Sequence, residues 1–269
     1  MGPRKAYSSL SMSALNDDIR RSLLTQIKLT QPNDEAQQPS SQPETTISKT
    51  DDHGDRPEYS NISYWQHRYT SNSQDTVFEW VVTYENTLLR SLIDSFINSV
   101  CSKLSHESQV KFLHPGCGDS TLGVDIINSD SLNVNISLDN SDGSEVVIEK
   151  MKALHPQSTW LVSDVLAPAR DGHTIYDAII DKCLCDAFLC GGVEADKLVK
   201  VKEYLKHCSQ VTTDSGRMII ISFGQPESRM RFFQQEDGCG WNKNIKVEEV
   251  VIPLKDGRKN KCWLYEFTK

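Results

Sequence analysis

The residues of this chain that could do chemistry cluster around one stretch. Val110-Lys-Phe-Leu-His-Pro-Gly116-Cys-Gly118-Asp-Ser-Thr is a short apolar run leading into a glycine turn, and Val134-Asn-Ile-Ser-Leu-Asp139 is a second apolar run ending in a carboxylate. Two glycines allow a backbone to pass close to a ligand. The helix expected after the turn would aim its free N–H groups at the same spot. A carboxylate about twenty residues on is placed to grip the two hydroxyls of a ribose, which gives Asp139 its expected role. Asp164 and Asp181 follow the ends of two further apolar runs. In an open α/β sheet the ligand lies beyond the carboxyl ends of the strands. Asp164 would there accept from an exocyclic amine such as adenine N6, and Asp181 would sit beside the reacting end of the ligand, either orienting an acceptor group or facing the ligand alone.

The pattern around these residues alternates strand and helix. Strands are expected at Val110 to Leu113, Val134 to Leu138, Thr159 to Val162, Ile175 to Ile180 and Arg217 to Phe223. Helices are expected at Asn86 to Leu104, Ser120 to Ile127, Val146 to Leu154 (capped by Ser141 or Asp142), Val193 to Cys208 and Glu227 to Gln234. Ile245 to Ile252 and Lys261 to Phe267 alternate apolar with polar residues around Lys255-Asp-Gly-Arg258, a hairpin signal. The expected fold class is α/β: a mostly parallel twisted sheet with helices on both faces, closed by a C-terminal antiparallel hairpin.

Residues 1–57 are poor in aromatics and rich in Gln, Pro and Ser, which predicts a disordered tail with a short amphipathic helix at Leu15 to Leu29. The folded domain would span 58–269, opening with an aromatic and helical lid over 58–106. The lid's aromatics, Tyr64-Trp65-Gln-His-Arg68-Tyr69 and Phe78-Glu-Trp80, are compatible with a packed cover on the core and equally with an apolar clamp over a ligand.

The balance of 29 Lys and Arg against 37 Asp and Glu gives a net charge of −8, which argues against a general nucleic-acid binder. No run approaches the roughly 18 apolar residues of a membrane span. Eight cysteines lack paired Cys-x-x-Cys knuckles, so buried free thiols are expected and no metal site. The absence of a secretory apolar region predicts a cytoplasmic protein; Arg4, Lys5 and nearby serines leave a mitochondrial address as the alternative. A P-loop is missing. The third glycine of a dinucleotide fingerprint is replaced by Thr121, with Gly123 nearby, so adenosine without pyrophosphate fits better.

Four blocks carry a family resemblance: Tyr64 to Tyr69; Phe78-Glu-Trp80; Gly116 to Ser120 with Leu138-Asp-Asn-Ser141 and Val146 to Met151; and Asp181-Lys-Cys-Leu-Cys-Asp-Ala187. With Ser222 to Arg229 and Gly240-Trp241, the chain from about residue 59 resembles the eukaryotic methyltransferase-like proteins that include lysine methyltransferases of elongation factor 1-alpha and of mitochondrial citrate synthase. The resemblance implies a Rossmann-like class I methyltransferase fold and S-adenosylmethionine as cofactor. It implies that Trp65, Tyr69 and Trp80 close over the cofactor, that Gly116 and Gly118 pass its methionine end, and that Asp139 and Asn140 hold the ribose. Asp164 and Val165 would frame the adenine, and Lys182 would lie on the methionine side. The implied partner is a protein substrate, such as a translation factor or metabolic enzyme, methylated on lysine by a monomeric enzyme with no nucleic-acid or membrane partner. Methylation of a small molecule and a non-catalytic cofactor-binding scaffold are the alternatives. Two departures stand out: His114-Pro115 precedes the glycine turn, and Cys183-Leu-Cys185 replaces the family's Gly-Thr-Leu.

Overall fold

The computed structural model describes residues 58–71, 79–80, 83–104, 109–167, 174–234, 238–253 and 259–269. The expected N-terminal tail with its helix, Phe78, and the hairpin turn at Lys255 to Arg258 lie outside the described residues. No helix among those described is long and apolar enough to cross a membrane.

The described residues open with α1 (Ile62–Ser71) and α2 (Thr87–Cys101). It then alternates: β1 (Val110–Pro115), α3 (Leu122–Ile127), β2 (Ile136–Asp142), α4 (Glu145–Leu154), β3 (Thr159–Val162), β4 (Tyr176–Lys182), α5 (Leu184–Leu189), α6 (Glu194–Gln210), β5 (Thr212–Ser222) and α7 (Pro226–Phe233). A 3₁₀ turn at Gly238–Gly240 precedes β6 (Lys246–Pro253) and β7 (Lys259–Thr268). The described strands form one sheet in the order β3-β2-β1-β4-β5-β7-β6. The first five pair in parallel, whereas β7 runs antiparallel between β5 and β6. The strand order reverses between β1 and β4, and such a switch point opens a crevice at the carboxyl end of the sheet.

Both sheet faces are covered, and the period of two along the strands explains how. Ile179, Met218 and Ile220 point into a core built with Tyr204, Leu205 and Cys208 of α6 and Phe232 and Phe233 of α7. Their neighbours Ala178, Ile180, Ile219 and Ile221 point to the opposite face, against Leu89, Ile93 and Ile97 of α2 and Leu122 and Ile126 of α3. Leu89, Ile93 and Ile97 are fully enclosed, and each contributes roughly 1.5–3 kcal/mol relative to exposure. Asn86 starts α2 by accepting from the Leu89 N–H at 3.2 Å.

Two differences from the sequence reading matter for the site. β2 begins two residues later than expected and continues through the polar run Asp139-Asn-Ser-Asp142. The short helix α5 was not anticipated, because six residues of a cysteine-rich apolar run carry no readable period.

Candidate active site

The glycine turn lies directly past β1. Gly116 and Gly118 take φ of +57° and +53°, the left-handed region where a side chain strains the backbone. A Cβ on Gly116 would stand 2.5 Å from Leu184 Cδ1, and one on Gly118 would stand 2.7 Å from the Tyr69 hydroxyl. The turn is pinned to β2: the Cys117 N–H donates to the Ser141 carbonyl at 2.9 Å, and the Gly118 N–H donates to Asp142 Oδ2 at 3.0 Å. Gly123 does the work of the missing third glycine, since a Cβ there would lie 2.1 Å from Asn140 Oδ1 and hold α3 off the sheet.

The N–H groups that open α3 do not face a ligand as expected. Glu79 accepts from the Thr121 N–H at 2.7 Å and from the Ser120 hydroxyl, and Ser120 Oγ accepts from the Leu122 N–H at 3.1 Å. Glu79 also pairs with Lys182, which is almost fully buried at the end of β4. Lys182 therefore lines the cleft with its charge already matched.

The carboxylates of β2 divide between the fold and the cleft. Asp139 lies within the strand, opposite Leu113 and Thr159, and its carboxylate accepts from the Tyr176 hydroxyl at 3.0 Å. Asn140 is buried; its Nδ2 donates to the Thr159 carbonyl and its Oδ1 meets His114 Nδ1, each at 3.2 Å. Neither residue lines the cleft. The carboxylate that ends β2 inside it is Asp142, which accepts from the Ser144 and Gly118 N–H groups at 2.8 and 3.0 Å. Each of its oxygens keeps a second lone pair. Burial raises its carboxyl above the usual range, with those two N–H donors pulling the other way. The polar end of the strand misled the hydropathy reading: Asp139 to Asp142 look like loop, yet their polar groups are paired within the fold.

One wall of the cleft is aromatic. Trp65, Tyr69 and Trp80 line it together with Tyr59; the Trp65 ring centroid lies 5.7 Å from that of Tyr59, 5.9 Å from Trp80 and 6.0 Å from Tyr69. Burial, reinforced by the Asp142 and Asp119 carboxylates, holds the Tyr69 phenol well above its ordinary range, so it stays a neutral donor. The Trp65 indole N–H donates to the Tyr59 carbonyl at 2.7 Å, and Lys200 on α6 donates to the Ser60 hydroxyl at 3.1 Å. These contacts fix α1 across the cleft. Asp164 and Val165 lie past β3 in the same cleft, with Asp164 Oδ1 accepting from the Leu166 N–H at 2.9 Å.

The far side is made by β4 and β5. Asp181 is wholly enclosed and does not line the cleft. It accepts from the Leu184 N–H at 2.8 Å, the Cys185 N–H at 3.1 Å and the Tyr204 hydroxyl at 2.9 Å, so it starts α5 instead of orienting an acceptor amine. Burial pushes its carboxyl up to about 7 against those three donors. His114, also enclosed, is held down to about 4 by burial and then by the Lys182 charge, and stays a neutral imidazole. Asn140 Oδ1 takes the proton on Nδ1, which leaves Nε2 without a partner. Cys183 holds φ of +69° in the cleft wall. Asp186, Phe223 and Arg229 line the cleft as well and were not anticipated as site residues.

These parts enclose about 740 Å³ at the carboxyl end of the sheet. No family model matches the chain. It is similar to EEF1A lysine methyltransferase 4 of Mus musculus, 25% identical over 186 residues that cover 66% of this chain and 67% of that protein. The strand order β3-β2-β1-β4-β5-β7-β6, with β7 antiparallel between β5 and β6, fixes the fold. This is the fold of the class I S-adenosylmethionine-dependent methyltransferases. Among solved structures, the chain is similar to magnesium protoporphyrin IX methyltransferase from Synechocystis, at 12% identity and a TM-score of 0.47 over 81% of this chain and 99% of that one. Another is the N-methyltransferase NodS from Bradyrhizobium japonicum, at 12% identity and a TM-score of 0.45 over 80% and 99%.

The residues present fit the methyltransferase cofactor. Gly116 and Gly118 carry no side chains, Asp142 offers lone pairs that a ribose diol could use, and Asp164 and Val165 line the cleft where they would flank an adenine. The aromatic wall supplies faces for a flat ring and a sulfonium cation.

Proposed function

We propose that this protein transfers the methyl group of S-adenosylmethionine to a lysine amine of a protein substrate. When bound, the cofactor supplies an activated methyl group: the amine lone pair forms the N–C bond while the S–C pair stays on sulfur as the thioether. The chain's own residues have to hold, align and desolvate the reactants. Asp142 holds the ribose hydroxyls, in place of Asp139 and Asn140. Gly116 and Gly118 admit the methionine end, and Lys182, matched by Glu79, borders it. Trp65, Tyr69 and Trp80 exclude water from above.

The acceptor amine must arrive neutral. Asp181 is enclosed away from the cleft among three neutral donors and Asp186 is charge-matched by Arg229, so neither stands toward the acceptor as a free carboxylate. Burial beside the Arg229 guanidinium disfavours the charged amine further. The lysine reading is carried by the similarity to EEF1A lysine methyltransferase 4 and is supported by a cleft that extends beyond the cofactor cradle.

Calorimetry with S-adenosylhomocysteine, followed by transfer of labelled methyl groups into a eukaryotic lysate, tests it. Label recovered as methyl-lysine after acid hydrolysis of the protein fraction is the expected result. Label confined to small molecules would replace the lysine reading with a metabolite acceptor, and binding without any transfer would leave a scaffold.

A further inference from the structure

Past the glycine turn and the aromatic wall, the lining of the cleft continues through the end of β5, helix α5 and the start of α6, a lobe in which Asp196 and Lys197 also stand. Phe223, the first residue past β5, lines this lobe and remains 43% exposed. It is held by an unusual amount of structure. Its N–H donates to Asp186 Oδ2 at 2.8 Å, while Asp186 Oδ1 accepts from Arg229 Nη2 at 2.9 Å, from Arg229 Nε at 3.2 Å and from the Ser222 hydroxyl. The next residue, Gly224, is glycine for a visible reason: a Cβ there would stand 2.0 Å from Arg229 Cζ, so the guanidinium lies across bare backbone on its way to Asp186. The Tyr265 hydroxyl fixes the Gly224 carbonyl at 2.6 Å. A largely buried ion pair carries a desolvation cost that stability alone does not require. What this one accomplishes is to lock the loop after β5 to the helix after β4, leaving one aromatic ring presented to the cleft.

We propose that Phe223 is the acceptor-contact residue, packing on the alkyl stem of the incoming lysine, and that the Asp186–Arg229 pair positions it. This rests on the lysine reading above. An alkyl amine is the class that suits the lobe. The ring takes up methylene groups in water-excluded contact and tolerates the nitrogen both as neutral nucleophile and as methylated cation. The carboxylate that accepts from the Phe223 N–H is already paired with Arg229 and does not hold the amine in its protonated form.

The test compares wild type with Phe223→Ala, Phe223→Leu and Arg229→Lys. It measures S-adenosylhomocysteine affinity by calorimetry and initial rates of labelled methyl transfer over a range of lysate protein concentrations. Phe223→Ala should bind S-adenosylhomocysteine within about threefold of wild type and lose about tenfold or more in kcat/KM for protein acceptor, chiefly through KM. Phe223→Leu should recover most of that loss, and Arg229→Lys should show it in part, again with cofactor affinity retained. Wild-type transfer by Phe223→Ala overturns the proposal. So does a matching loss of S-adenosylhomocysteine affinity, which would place Phe223 in the cofactor cradle. Wild-type protein that binds S-adenosylhomocysteine but labels no lysine removes the lysine reading, and this proposal with it.

Discussion

The two halves of the cleft treat their polar groups in opposite ways. Past β1, β2 and β3, polar capacity is left open: bare glycine backbone at Gly116 and Gly118, second lone pairs on Asp142, and Asp164 at the rim. Past β4 and β5 the charges are spent on one another. Asp181 is engaged by three donors, Asp186 by Arg229 and Phe223, and Lys182 by Glu79. The first arrangement suits a ligand rich in hydroxyls and ring nitrogens. The second makes a rigid frame in which the carboxylates and the lysine at the strand ends already have partners. The carboxyl end of one sheet thereby offers two chemically different surfaces side by side.

Breaking each half should give distinct outcomes. Asp142→Ala should weaken S-adenosylhomocysteine binding by about a hundredfold, or ~3 kcal/mol, in calorimetry, whereas Asp139→Ala should stay within about threefold. The reverse ranking would return the ribose to Asp139. Arg229→Met leaves the Asp186 carboxylate buried and unmatched, and should lower unfolding stability in urea by about 3 kcal/mol while the folded variant still binds S-adenosylhomocysteine. A larger effect on binding than on stability would mean that the two halves are not separate.

The pH dependence sharpens the same contrast. The folded-state carboxyl of Asp181 keeps its proton up to about 7, whereas the unfolded chain releases it near 3.9. The folded protein thus binds more protons between those values, and its stability falls as the pH rises from 5 to 7, by about 2 kcal/mol from this group. Asp181→Asn should flatten that slope in denaturation series at fixed ionic strength; an unchanged slope would assign it to other groups. The smallest effect is expected at Cys183. Replacing it with glycine relieves a left-handed φ of +69° and should raise stability by about 0.5 kcal/mol, net of the greater freedom of glycine in the unfolded chain. A loss would show that the buried thiol packs well enough to outweigh the strain.

Much of the fold was legible because its signals are local. The β3 boundaries match the expected ones, and β1 differs only in running two residues further, since apolar runs bounded by turns read directly as buried parallel strands. The terminal hairpin was readable from alternation alone, and β7 does run antiparallel to β5 and β6. The glycine turn announced itself through Gly116 and Gly118, which the backbone holds at positive φ. Asp142 was hidden because β2 continues through four polar residues whose partners come from β1, β3, β4 and the glycine turn, none of which a local pattern displays. Asp181 was placed in the cleft because strand ends usually face the ligand. Its side chain instead turns inward to start a helix too short to carry a period.

The sequence by itself determined the alternation of strand and helix, the turn at Gly116 to Gly118, the aromatic segment around Trp65 and Trp80, and the acidic residues from which the site is drawn. Each of these depends on residue type and short-range spacing, which the chain carries wherever it goes. Which acidic residue reaches the cleft, and which is consumed inside the fold, was decided only by tertiary structure. A carboxylate's role depends on the donors around it, and for Asp139, Asp142, Asp181 and Asp186 those include groups from distant parts of the chain: Tyr176, Gly118, Tyr204 and Arg229.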